Sequence, residues 1–238
     1  MAEIKRLFFE LPVPKPKVVG IMDVSAFQKP GPRLFLSRHA GDNGENNGHI
    51  YLGCKDLPLS GDGGLQARNS ALIHFRAKFL IAYTSDLGRA EETARIILAN
   101  TGNSAAPAIS SAALRPREAG VLQGLDRNFA HVIFGKGSVD KWRKTFTGRP
   151  YEGGESLSEI YEKVTGYFNN VILAELKKAP KRGGNVLLLA HRDTVIVLRM
   201  LLEKISPEEA PLLPIPYCEP FIYELQPNGE LAMPRSRK

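Results

Sequence analysis

Val186-Leu187-Leu188-Leu189-Ala190 is the segment that most narrows what this chain can fold into. The run follows Gly183-Gly184 and is apolar without alternation, so both faces of the strand must be buried. A strand of that kind belongs in a sheet covered by helices on both sides. The chain from Arg33 onward agrees. Leu34-Phe35-Leu36 is a second short apolar run, ending at Ser37-Arg38-His39. Residues 64 to 78 suit a helix, and Phe79 to Tyr83 suit a strand. Ser85 or Asp86 is positioned to cap a following helix, in which Leu87, Ala90, Ala94, Ile97 and Leu98 share one face. Ser156-Leu157-Ser158-Glu159 has capping-box form. It opens a long helix with Leu157, Ile160, Tyr161, Val164, Phe168, Val171 and Ile172 inward. Thr194 to Lys204 reads as a further helix, and Phe221 to Leu225 as a last strand. Strands alternating with helices give an α/β fold with a mostly parallel sheet, flanked by helices on both faces.

The 238 residues divide unevenly. Residues 1–32 form an extension with a Pro-rich spacer, Leu11-Pro12-Val13-Pro14-Lys15-Pro16-Lys17, and no apolar run long enough for a secretory signal. Residues 33–228 form one domain. Within it, residues 120–153 mix Gly, Pro and charge, and read as an irregular inserted lid. Residues 229–238 form a basic tail. Two cysteines, Cys54 and Cys218, cannot build a disulfide framework. The apolar runs are too short to span a bilayer, so no membrane partner and a cytoplasmic location are expected. His49, His74 and His131 have no partners at metal-ligand spacing.

Lys and Arg total 32 against 25 Asp and Glu, a formal net charge of +7. That excess fits nucleic acid, anionic lipid or a small phosphorylated ligand. The basic residues are dispersed and aromatics are 8% of the chain, which disfavours a nucleic-acid stacking surface. Position along the strands is more telling. In a parallel sheet, ligands sit beyond the carboxyl ends of the strands. The first run ends in Arg38-His39, the second is followed by Ser85 and Arg89, and the buried run ends in His191-Arg192-Asp193. Arginine forks match phosphate oxygens. A neutral imidazole nitrogen can attack phosphorus. Histidines and arginines converging on one sheet edge therefore suit phosphoryl transfer, which is mostly positioning and charge stabilisation.

Leu36-Ser37-Arg38-His39-Ala40 resembles the Arg-His-Gly signature of the histidine phosphatase superfamily, closest to its cofactor-dependent phosphoglycerate mutase branch. The resemblance runs through ordered motifs over roughly residues 33–226. Gly53-Cys54-Lys55-Asp56-Leu57-Pro58-Leu59-Ser60 is similar to the substrate loop. Tyr83 to Ala94 is similar to the second-arginine helix. Gly120-Val121-Leu122-Gln123-Gly124-Leu125-Asp126-Arg127 resembles the mutase loop, and Trp142-Arg143-Lys144 its carboxylate clamp. Gly153-Gly154-Glu155-Ser156-Leu157 and Ala190-His191 complete the order. The resemblance implies a mutase-like fold with residues 120–153 as its lid. It implies His39 as the phosphorylated nucleophile, with Arg38, Arg89 and His191 holding the transferring group. It further implies Gly53, Cys54, Arg127, Arg143, Lys144, Arg192 and Asp193 around the substrate. No metal or nucleotide is implied; a mutase is primed by 2,3-bisphosphoglycerate. The partner would be a small phosphorylated metabolite, in a homodimer or homotetramer.

The sequence also departs from that family. Matching Gly120 to the family glycine puts Pro116 where the family carries its catalytic glutamate, and Ala119 where it carries tyrosine. Glu118 and Asp193 are the remaining candidate acids. Three readings follow: a glycolytic-type mutase, a phosphatase of the same superfamily that passes the phosphoryl group to water, and a phosphate- or partner-binding module without the acid. In all three, Arg38, Arg89, Arg127, Arg143, Lys144 and Arg192 are expected around one pocket.

Overall fold

The computed structural model describes residues 32–44, 49–74, 76–150 and 152–234. The extension expected over residues 1–32 lies outside these but for Pro32, as do the last basic residues of the tail. Six strands form one sheet in the order β3-β2-β4-β1-β5-β6. They are β1 (Arg33–Arg38), β2 (Phe79–Thr84), β3 (Ala108–Ser110), β4 (Asn185–Ala190), β5 (Phe221–Leu225) and β6 (Leu231–Ala232). β4 lies between β1 and β2 and is parallel to both; β2 is parallel to β3; β5 runs antiparallel to β1 and β6. The mostly parallel α/β sheet expected from the sequence is present.

The buried run explains this layout. Val186 to Ala190 are fully buried, as a strand apolar on both faces requires. Side chains alternate across the sheet. Leu34, Leu36, Val186 and Leu188 pack under α5 (Leu157–Tyr167), α6 (Leu173–Arg182) and α7 (Arg192–Glu203). Phe35, Leu187 and Leu189 face the other way, against α2 (Gly88–Asn100), which packs beside α1 (Gly61–Ile73). No helix among the described residues is long and apolar enough to cross a membrane.

Several elements differ from expectation. α1 starts at Gly61 because the Ser60 hydroxyl accepts the Gly63 N–H. α2 is capped by neither Ser85 nor Asp86. The Gly88 N–H instead meets the Asp56 carboxylate at 2.8 Å, and Asp86 pairs with Arg115. Residues 120–153 are not irregular; they contain α3 (Arg127–Phe134) and α4 (Lys136–Lys144). Asp126 caps α3 by accepting the Asn128 and Phe129 N–H groups. Both helices close a small core of Ala119, Leu122, Ala130, Val139 and Trp142 against Tyr51. Val171 is half-exposed rather than inward. A π turn over Phe168–Ile172 adds a residue to the helical repeat and rotates it out. Residues 231–232 pair with β5, so the body continues past the expected boundary at 228.

The capping box at Ser156 is formed. The Ser156 hydroxyl accepts the Glu159 N–H at 3.2 Å, and the Glu159 carboxylate accepts the Ser156 N–H at 2.8 Å. Replacing Ser156 by Ala is expected to cost about 1 kcal/mol, lowering the melting temperature by roughly 2–4 °C. Calorimetry of the two proteins measures it; an unchanged melting temperature would mean the cap does not hold α5.

Candidate active site

The carboxyl ends of β1, β2 and β4 open on one cavity of about 50 Å³. Register brings its centre together. Arg38 is paired with Ala190, and the His39 N–H donates to the Ala190 carbonyl at 2.9 Å. The residue after β4 is His191, so the His39 and His191 rings lie 4.9 Å apart between centroids, tilted by 59°.

His39 is oriented by its own backbone neighbour. Its Nδ1 lies 2.6 Å from the Ala40 carbonyl oxygen. A carbonyl only accepts, so Nδ1 carries the proton and Nε2 keeps its lone pair in the neutral ring. Burial, then the charges of Arg38 and Arg89, hold the His39 pKa well below its ordinary value. His191 is held low by burial, by His39 and by the same two arginines. Its Nε2 meets the Ser85 hydroxyl at 2.6 Å. Its Nδ1 is buried and has no hydrogen-bond partner among the described residues.

The arginines are fixed from behind. Arg38 donates to the Ile215 carbonyl and lies 3.7 Å over the Tyr217 ring. Arg89, only 2% exposed, donates to the carbonyls of Lys55 and Gly53 and lies near Asp42 and Asp56. Gly53 adopts φ +53°, and a Cβ there would stand 2.8 Å from the Ala119 nitrogen. The loop needs glycine to pass close enough to hold Arg89.

At the far side, Arg143 lies over the Tyr51 ring with 5.4 Å to the centroid. Asp193 is held by Arg117 through two hydrogen bonds, 3.0 and 3.3 Å, and by Arg192 at 3.3 Å. Burial pulls the Asp193 carboxyl upward, but the charges of Arg117, Arg192 and Arg143 outweigh it and hold it well below the usual carboxylate range.

The cavity therefore gathers Arg38, His39, Gly53, Arg89, Arg143, His191, Arg192 and Asp193, all expected from the sequence. Four expected residues lie elsewhere. Glu118 does not line the cavity; its carboxylate lies against the Cys54 thiol, which burial, and then this carboxylate, pushes up to about 12. Cys54 donates to the Pro116 carbonyl and turns its sulfur away. Lys144 is exposed and paired with Asp140 one helical turn back. Arg127 sits behind Tyr51, 5.8 Å from the ring centroid. Both positions follow from α3 and α4, whose helical phase directs these side chains away. Pro116 itself lines the cavity, so no carboxyl is offered from that position. Arg117, Asp42, Tyr51 and Ser85 also belong to the site. Arg117 was the legible one: a buried carboxylate at Asp193 requires a cationic partner.

A larger groove of about 950 Å³ lies between α2 and β3, away from both histidines. Asp56, Glu91 and Glu92 face it with Arg95, an unfavourable surface for a phosphorylated ligand. Both histidines and the clustered arginines line the smaller cavity.

A family model of the histidine phosphatase superfamily (branch 1) matches residues 34–233. The chain belongs to this superfamily. A protein of Gloeobacter violaceus, named 2,3-bisphosphoglycerate-dependent phosphoglycerate mutase 2, is 35% identical over 205 residues, 85% of this chain and 91% of its own length. A protein of Parvibaculum lavamentivorans named as the same kind of mutase is 36% identical over 199 residues, 82% of this chain and 91% of its own. Among solved structures, a mycobacterial glucosyl-3-phosphoglycerate phosphatase superposes with a TM-score of 0.73 at 24% identity, over 85% of this chain and 98% of its own. A phosphoglycerate mutase from Bacillus anthracis gives 0.71 at 21%, over 88% and 94%. These structural likenesses bear on the fold.

The Arg117–Asp193 pair makes a prediction. Its folded-state carboxyl pKa is depressed, so its contribution is complete above about pH 4, the ordinary Asp range, and is lost only as pH falls through the lower folded value. Replacing Asp193 by Asn leaves Arg117, 2% exposed, without its charge partner and is expected to cost about 3–5 kcal/mol. Urea unfolding should show that difference constant between pH 8 and 5. A difference that collapses between pH 7 and 5 would contradict the assignment.

Proposed function

We propose that the protein moves a phosphoryl group from a small phosphorylated metabolite through a phosphohistidine on His39. The observation carrying this reading is the Nδ1 contact to the Ala40 carbonyl at 2.6 Å. It reserves Nε2 for attack in a cavity flanked by Arg38 and Arg89. In the first step Nε2 bonds to phosphorus while the oxygen of the donor departs. Nδ1 keeps its proton on Ala40, so the phosphorylated ring is an imidazolium. Arg38 and Arg89 stabilise the charge spread over the phosphoryl oxygens. The buried Nδ1 of His191 is a further group that a phosphoryl oxygen would satisfy.

Water is the acceptor this site favours. Its attack on phosphorus returns the N–P electron pair to Nε2 and releases phosphate. A mutase must transfer to and from alcohol oxygens, so it needs a proton carrier in both directions. Pro116 supplies none. The second reading is a phosphoglycerate mutase primed by 2,3-bisphosphoglycerate. It is favoured by about 35% identity to proteins named as such mutases, and by Arg143, a guanidinium placed to meet a carboxylate. Both readings use a soluble metabolite and no metal.

Incubation with a ³²P-labelled aryl phosphate is expected to leave acid-labile label on wild type and none on His39→Ala, with slower labelling from ³²P-labelled 2,3-bisphosphoglycerate. Arg89→Ala should slow labelling by about a hundredfold or more, the scale of one transition-state charge contact. Because burial and the two arginines depress the His39 pKa, the ring stays neutral and the labelling rate should hold from pH 8 to pH 6. A rate falling tenfold over that interval would contradict the neutral nucleophile. Free phosphate as product supports the hydrolytic reading, and a phosphoglycerate isomer the mutase reading. A folded wild type that takes no label excludes both.

A further inference from the structure

The reaction has an unequal demand on this cavity. Forming the N–P bond needs a nucleophile and cations, and both are present. Expelling an ordinary alcohol also needs a proton on the departing oxygen, because an alkoxide is a poor leaving group. Among the described residues, every carboxyl near His39 is unsuited to give one. Pro116 lines the cavity where a carboxyl would be useful. Asp193 is held by hydrogen bonds from Arg117 and Arg192 and stays ionised. Asp42 accepts the Gly44 N–H on one oxygen and is ion-paired through the other with the Arg89 guanidinium, 4.0 Å away. Glu118 lies against Cys54, off the cavity. His191 is neutral, and a neutral imidazole N–H is too weak an acid for the task.

We infer that the site turns over phosphoryl donors whose leaving oxygen is weakly basic, an aryl or acyl phosphate, and discriminates strongly against esters of ordinary alcohols. The inference rests on phosphoryl transfer through His39. In the step, His39 Nε2 bonds to phosphorus and the P–O bond breaks. Its electron pair leaves on a phenolate or carboxylate that needs no proton. Arg143, which makes no ion pair among the described residues, stands at the cavity with Tyr51 to receive that anion. Water then takes the phosphoryl group, the N–P pair returns to Nε2, and dihydrogen phosphate leaves. Pro116 and the Arg117–Asp193 pair become specificity-determining residues.

The test compares kcat/KM for p-nitrophenyl phosphate, phenyl phosphate and glycerol 3-phosphate, with Pro116→Glu as the second protein. In wild type, p-nitrophenyl phosphate is expected to exceed glycerol 3-phosphate by at least the roughly hundred- to ten-thousand-fold that a general acid supplies. Phenyl phosphate should fall between. Pro116→Glu is expected to narrow the aryl-to-alkyl ratio at least about tenfold, as a restored acid would. Wild-type rates for the aryl and alkyl esters within about tenfold of each other would overturn the inference, as would a folded Pro116→Glu with the ratio unchanged. The wild-type series decides alone if that variant does not fold. Label on His39 from both donor classes at similar rates refutes only this inference. No label from any donor refutes the phosphoryl-transfer reading beneath it.

Discussion

The backbone hydrogen bond from His39 to the Ala190 carbonyl holds the site together. It is the last rung of the parallel pairing between β1 and β4, and it places two histidines from distant parts of the chain ring against ring. The pairing is strongly specified. Shifting β4 by one residue would exchange its two buried faces, sending Leu187 and Leu189 into the space packed for Val186 and Leu188. The fully buried apolar strand thus does more than build a core. It sets, through register, the position of His39 relative to His191.

The second theme is charge. Five arginines line one cavity of about 50 Å³. Uncompensated, such a cluster would be costly to bury. Asp193 is shared between Arg117 and Arg192, and Arg89 pairs with Asp42 and Asp56. Asp193 acts as an internal counter-ion, and that occupation removes it from proton transfer. Burial, with the same field, holds the His39 and His191 pKa values well below the ordinary one, which in the proposed reaction keeps the attacking ring neutral. In the proposed reaction, cation density favours attack on phosphorus while suppressing the acid chemistry a nearby carboxyl would otherwise provide.

Much of this was legible in residue order. Apolar runs ending in Arg38-His39 and Ala190-His191 announced both the parallel sheet and the site, because strand ends and ligand sites coincide in such folds. The capping residues at Ser156 were equally readable, since the cap is a local interaction. What was not legible was set by tertiary context. The helices α3 and α4 were hidden by Gly135, Gly137 and mixed charge, and they decide that Arg143 reaches the cavity while Lys144 does not. Val171 turned outward through a π turn that no periodicity shows. Glu118 looked like a substitute acid by its nearness in sequence, but the loop presents Pro116 and Arg117 to the cavity instead. The charge excess of +7 fits a focused anion site, with Arg117 among its members and Lys144 and Arg127 outside the cavity.

The central claim is that nucleophile and cations are retained while the proton donor is not. A crystal structure with vanadate, which mimics the five-coordinate phosphoryl transition state, tests it most directly. The account predicts vanadium bonded to His39 Nε2, equatorial oxygens on Arg38 and Arg89, and no carboxyl within hydrogen-bond reach, about 2.6–3.2 Å, of the apical oxygen. Vanadium bound away from Nε2, or a carboxyl of Glu118, Asp193 or Asp42 on that apical oxygen, would contradict it.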